Sequence, residues 1–315
     1  MIRVLVLLAA AGLCAVLVRQ PSSPGFGIGS WAEGSPEAWS KLDLSALLTS
    51  NTGFFCPMDR DVSSKSAGFC PRCGMKLVSG IPDAKEYAVH LTTEPPALRA
   101  GENAQLVFHI EDPKTPPPVR EFEIVHEKFY HVFLVSQDLS VFIHTHPELQ
   151  PDSSFRLGVR LPKPGMYRIL SDFYPKGGTP QLVINTLMVP GEGFHLAPAK
   201  LVRDVAPRQA ENLGIDMTTD PPQPRAGAKT TLVFSLTPNE GIEPYLGAMA
   251  HLLAASADLV DMIHSHPMQA IDHGSGSKEL QFKITFPRAS IYRVWIQSQR
   301  KGVVNTAAFT IPVSD

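Results

Sequence analysis

The sequence predicts a mainly β protein: a small cysteine module followed by two tandem β-sandwiches of the Ig-like or cupredoxin-like kind. Three observations lead there. Proline accounts for 29 of the 315 residues, about 9% against a usual 5% or so, and prolines at that density break helices and mark strand ends. The apolar runs beyond residue 86 are short, β-rich and punctuated by Pro, Gly or Asn/Asp, as the strands of a sandwich are. Long stretches of those runs also occur twice. Hydrophobic residues make up 43% and charged residues 18%, with a net charge of −2. That composition excludes a disordered chain and argues against an electrostatic nucleic-acid binder.

Residues 4–18 read VLVLLAAAGLCAVLV between Arg3 and Arg19. A basic start and an apolar run of this length predict an export signal or membrane anchor over residues 1–20. The run has 15 residues, short of the roughly 17–25 that a spanning helix needs. An uncleaved anchor, a cleaved signal and lipidation at Cys14 all export the chain, so the expected location is the cell envelope, anchored, periplasmic or secreted. Residues 21–50 hold Pro, Ser, Gly, Trp31 and Trp39 without clear periodicity. They read as a linker, in which a short helix near 36–48 is one option.

Residues 51–80 form the cysteine module. Cys70 and Cys73 make a C-x-x-C knuckle with Pro71 and Gly74 in its turn, and Cys56 opens a Cys-Pro-Met turn upstream. Three thiolates from two turns suit zinc or a softer ion and leave one tetrahedral position open. Met58, Met75 and Asp59 are the local candidates for it. A segment of about 25 residues has too little core to fold unaided, so metal or docking must hold it. An oxidised Cys70–Cys73 pair is the alternative, since exported thiols oxidise readily.

The module resembles the heavy-metal-binding domain found on heavy-metal P-type ATPases and on copper/silver efflux adaptors. It keeps Cys56, Pro57 and Met58, then Cys70, Pro71, Cys73, Gly74, Met75 and Leu77. It departs at Asp59 and Arg60, where that family usually carries His-Pro. The resemblance implies a bound heavy metal, with one histidine ligand missing.

The remainder is one unit written twice. Residues 89–108 match 215–234 at ten of twenty positions, and 131–147 match 251–267 at eight of seventeen. Order is preserved while the offset shifts from 126 to 120, as in a duplicated domain with loop insertions. Repeat 1 is expected over 86–190 and repeat 2 over 212–315, joined by a linker at 191–211. In repeat 1 strands are expected near 87–91, 104–110, 130–136, 139–145, 155–161, 166–173 and 182–189. The pair is similar to small secreted β-sandwich domains of the YtkA-like kind, which implies a fold more than an activity.

Histidines carry the candidate chemistry. His144-Thr-His146-Pro147 and His264-Ser-His266-Pro267 place imidazoles two apart, on one strand face and about 6.6 Å apart along it. The preceding strand opens with His131 in one copy and His251 in the other. A symmetric turn centred on Gln137–Asp138 sets His131 directly across from His144, with His146 diagonal, and Ala257–Asp258 does the same for His251 and His264. Each trio is then a facial site for Zn(II) or Cu(II). His90, His109 and His126 lack a histidine counterpart in the other copy and are left out. Met262 shares the predicted face of His264, where core filling is its expected role.

The function expected is a non-enzymatic, membrane-associated metal-binding protein that sequesters copper or zinc or passes it to an efflux or delivery partner in the envelope. A mononuclear three-His metalloenzyme is the alternative. It is disfavoured because no carboxylate recurs beside both trios except Asp138 and Asp258 at the distant turns. An adaptor sandwich without metal is the other alternative.

Overall fold

The computed structural model describes residues 53–56, 62–71, 76–79, 86–113, 118–193, 199–274 and 276–315. The expected signal or anchor, the linker at 21–50, and the candidate ligands Met58, Asp59, Cys73 and Met75 lie outside them. Every regular element among the described residues is a β-strand.

The cysteine module is a three-stranded ribbon of β1 (Phe54–Phe55), β2 (Ser63–Ser64) and β3 (Val78–Ser79), with β1 in the middle. Repeat 1 comprises β4 (Ala88–Glu94), β5 (Asn103–Glu111), β6 (Tyr130–Ser136), β7 (Phe142–Thr145), β8 (Glu148–Leu149), β9 (Phe155–Arg160), β10 (Gly165–Phe173) and β11 (Gln181–Val189). These form two antiparallel sheets, ordered β4-β5-β9-β8 and β11-β10-β6-β7. Repeat 2 runs β12 (Arg208–Gln209), β13 (Gly214–Asp220), β14 (Lys229–Thr237), β15 (Ile242–Glu243), β16 (His251–Ser256), β17 (Met262–Ser265), β18 (Gln269–Asp272), β19 (Lys278–Thr285), β20 (Ser290–Arg300) and β21 (Val303–Val313). Its sheets are β12-β13-β14-β19-β18 and β15-β20-β16-β17, with β21 also on β20.

Each repeat closes its own core from alternate residues. Tyr130, Val132 and Leu134 of β6 point into the first core with Phe108, Phe155 and Tyr167, while Leu252 and Ala254 of β16 point into the second with Phe234, Phe282 and Phe309. The intervening residues are apolar too. Phe133, Val135, Leu139 and Leu170 pack against Leu253, Ala255, Leu259, Met262 and Trp295 in a third cluster that joins the copies. Strands β6 and β16 are therefore buried on both faces, which is why they read as continuous apolar runs rather than as alternation. Met262 takes its expected core role, within this inter-copy layer.

The register differs from the one the turns predict. Phe133 pairs with His144 and Val132 with Thr145, so His131 lies opposite His146 and diagonal to His144. Repeat 2 does the same, with Leu253 on His264. The cause is the turn: Leu139 N–H bonds Ser136 O and Ser136 N–H bonds Val141 O, giving a four-residue loop displaced by one position. Leu139 adopts φ 58° and Leu259 φ 55°, an unusual conformation for a branched side chain. Both leucines are buried in the inter-copy layer, and that packing holds them there. The partner of His144 moves by two residues, from His131 to Phe133, so the histidines keep a common face.

Candidate metal centre

The displaced register brings each trio together. His131 Nδ1 lies 3.0 Å from His146 Nε2 and 3.3 Å from His144 Nε2. In repeat 2, His251 Nδ1 lies 2.8 Å from His266 Nε2. One ring nitrogen from each of His131, His144 and His146 falls within 4.8 Å of the others, and the same holds for His251, His264 and His266. Nitrogens that share an ion at about 2.0–2.1 Å have separations of this order.

The hydrogen bonds around the rings decide which nitrogens carry lone pairs. His131 Nε2 donates to Val125 O at 2.9 Å, leaving Nδ1 as an acceptor. His144 Nδ1 donates to Gln297 Oε1 at 2.8 Å, which leaves Nε2 as an acceptor. The contact between His131 Nδ1 and His144 Nε2 is therefore lone pair to lone pair, which no neutral pair of imidazoles satisfies. Repeat 2 repeats the arrangement. His251 Nε2 donates to Tyr245 O at 2.9 Å and His264 Nδ1 donates to Asp172 Oδ2 at 2.6 Å. His264 Nε2 is buried with no hydrogen-bond partner. Carbonyl, amide and carboxylate partners that fix the tautomer are what metal-ligating imidazoles use.

Burial favours the neutral, ligating form of His131, His144, His146, His251 and His266. Desolvation pushes His131 down to about 4 and His146 to about 3. His144, His251 and His266 lie well below the ordinary histidine value, through burial first and neighbouring imidazoles second. The donor set and its tautomers fit a borderline divalent ion in each trio.

A family model described as a domain of unknown function (DUF8832) matches residues 82–189 and again 209–315, over half of the chain. The chain belongs to this family. A second model, described as a heavy metal binding domain, matches residues 54–79, so a heavy-metal-binding module precedes two DUF8832 repeats. Among solved structures the chain is similar to the Escherichia coli adhesin FdeC, with 12% identity over 76% of this chain and 68% of that one, at a TM-score of 0.24. It is similar to latent PorU from Porphyromonas gingivalis, with 14% identity over 77% of this chain and 26% of that one, at a TM-score of 0.25. The Yersinia pseudotuberculosis adhesin InvE gives 11% identity over 71% and 58%, at a TM-score of 0.22. No curated protein matches the chain.

The two supports from side chains cross between the DUF8832 repeats. Asp172 pairs with His131 across β10 and β6, and Gln297 pairs with His251 across β20 and β16. They occupy the same place in the two copies, yet each serves the other copy's HxH strand. Comparing repeats for shared carboxylates misses both, because one is Asp and the other Gln. His126, discarded for want of a counterpart, is also at the site. Its ring lies against that of His266, with centroids 3.7 Å apart and planes tilted by 36°, and its Nε2 is buried without a partner. Its backbone φ is 47°, and Leu246 at φ 51° is the equivalent residue of repeat 2.

In the heavy-metal-binding module, Cys56 and Cys70 are both buried, in a cluster with Leu77 and Val78. That cluster docks on Val125 and Tyr174 of repeat 1, and Val125 is the residue whose carbonyl holds His131. Cys70 also lines a cleft of about 350 Å³ with Met249, Pro267 and Met268. Pro267 directly follows the site residue His266.

Proposed function

We propose that this chain is an exported, membrane-associated protein of the cell envelope that binds copper or zinc and sequesters it or hands it to a delivery or efflux partner. The observation that carries the reading is the convergence of ring nitrogens at His131/His144/His146 and His251/His264/His266, with the outer nitrogens of His131, His144, His251 and His264 tied to Val125, Gln297, Tyr245 and Asp172. Imidazole trios suit Zn(II) or Cu(II), and the thiolates of Cys56, Cys70 and Cys73 suit a softer ion. The basic start and apolar run at 1–20 support export and membrane attachment. Asp172 is engaged by His264 and acts as a positioning group rather than as a general base, which supports a binding protein over a metalloenzyme.

The test is the metal content of the full chain, purified in detergent without chelators or a polyhistidine tag, by elemental analysis. Near-stoichiometric copper or zinc is expected, falling by one ion in His144→Ala/His146→Ala and by one in His264→Ala/His266→Ala. A chain that holds no copper or zinc after loading, under reducing and oxidising conditions, overturns the reading.

A further inference from the structure

The geometry points to a single dinuclear centre: the six histidines hold two divalent ions close enough to share a bridging small anion, hydroxide in water. This rests on the metal-binding reading above and adds the relation between the two sites. Within a trio, ring centroids are 4.5–5.8 Å apart. Across trios they are nearly as close: His144 to His251 is 5.2 Å, His131 to His251 6.0 Å, His131 to His264 6.1 Å and His144 to His264 6.2 Å. The rings form one cluster between the sheets, closed on one side by the apolar layer around Phe133, whose ring stacks on His144 at 4.1 Å and lies 4.6 Å from His264.

Charge supplies the bridging ligand. Two divalent ions bring four positive charges into a site where His131, His251, His264 and His266 are buried. Among the described residues a single carboxylate, Asp172, is hydrogen-bonded to these histidines. Uncompensated buried charge is strongly unfavourable, and three protein nitrogens leave each ion an open position. A water entering between two such ions loses its proton readily to solvent, because bound divalent metal depresses the pKa of water towards neutrality. The hydroxide left behind removes one positive charge and fills both open positions. The halves differ in their direct supports: His264 of the His251 trio is hydrogen-bonded to the anionic Asp172, and His144 of the His131 trio to the neutral Gln297.

The test loads Cu(II) into the full chain carrying Cys14→Ser, Cys56→Ser, Cys70→Ser and Cys73→Ser, so that thiols neither bind nor reduce the ion, and reads electron paramagnetic resonance at low temperature. Two ions within about 4 Å and bridged are expected to give two coppers per chain, a spin count well below two, and a half-field transition. Adding His264→Ala/His266→Ala is expected to restore the full signal of one isolated Cu(II). His146→Ala, at a half-exposed position just beyond its strand, gives the same comparison should the double variant fail to fold. Two coppers with a full spin count and no half-field signal overturn the dinuclear centre while leaving the metal-binding reading intact. One copper per chain does the same. No copper overturns both.

Discussion

Asp172 of the first repeat and His264 of the second are joined by a 2.6 Å hydrogen bond, and both side chains are almost wholly buried. The carboxylate lies on β10, beside its own repeat's His131, and orients a ligand on the opposite sheet. Outer partners of this kind typically change metal affinity 10–100-fold when lost. Asp172→Asn is therefore expected to weaken binding at the His251 trio by roughly that factor. Gln297→Glu should tighten the His131 trio. Competition titration against a chromogenic chelator checks both, and equal affinities in wild type and Asp172→Asn would count against the role of Asp172.

The metal-free chain should lose stability as pH falls below 7. His131 titrates near 4 in the fold, pushed down by burial, whereas the unfolded imidazole titrates near 6.5. Between those values the unfolded chain binds the extra proton, so stability rises with pH there, by about 1.4 kcal/mol per pH unit for each such histidine. His144, His146, His251 and His266 shift in the same direction. Denaturant melts of chelator-treated protein from pH 7 to pH 4 should show a falling midpoint. Replacing His131 with Gln should flatten the slope.

Leu139 tests whether the inter-copy layer outweighs backbone strain. At φ 58° a glycine relieves about 1–2 kcal/mol, but deleting a buried leucine side chain costs about 2–5 kcal/mol. Leu139→Gly is therefore expected to destabilise, by up to roughly 4 kcal/mol net. A rise in the thermal midpoint would show that the leucine contributes less to the layer than its burial indicates.

Trp295 stacks on Phe142 at 4.9 Å, nearly parallel, across the same layer. Trp295→Ala should cost about 3–5 kcal/mol in chemical denaturation, and loosening the layer should lower metal content at both trios together. Unaltered metal content in a folded Trp295→Ala protein would show that the centre survives without this contact.

Much of this architecture is legible in the sequence because proline and turn residues punctuate it and because the two copies can be compared. All seven strands expected in repeat 1 have a counterpart, and the one not foreseen, β8, is two residues long. The shared face of His131, His144 and His146 is legible because period two survives a displaced turn. The pairing itself is not, since it depends on Leu139 adopting a left-handed backbone that only packing against the other repeat explains. Asp172, Gln297 and His126 are illegible for a related reason: their roles arise from contact between copies, and no local pattern marks a residue that serves a distant strand.

The crossed supports carry a historical consequence. If the two repeats were separate identical chains associating about a two-fold axis, the position held by Asp172 and Gln297 would be a single residue, present twice and necessarily the same. Joining the subunits in one polypeptide removes that constraint. A fused chain can set an acid behind one trio's ligand and an amide behind the other's, and so make two once-equivalent seats differ in charge, affinity and order of filling.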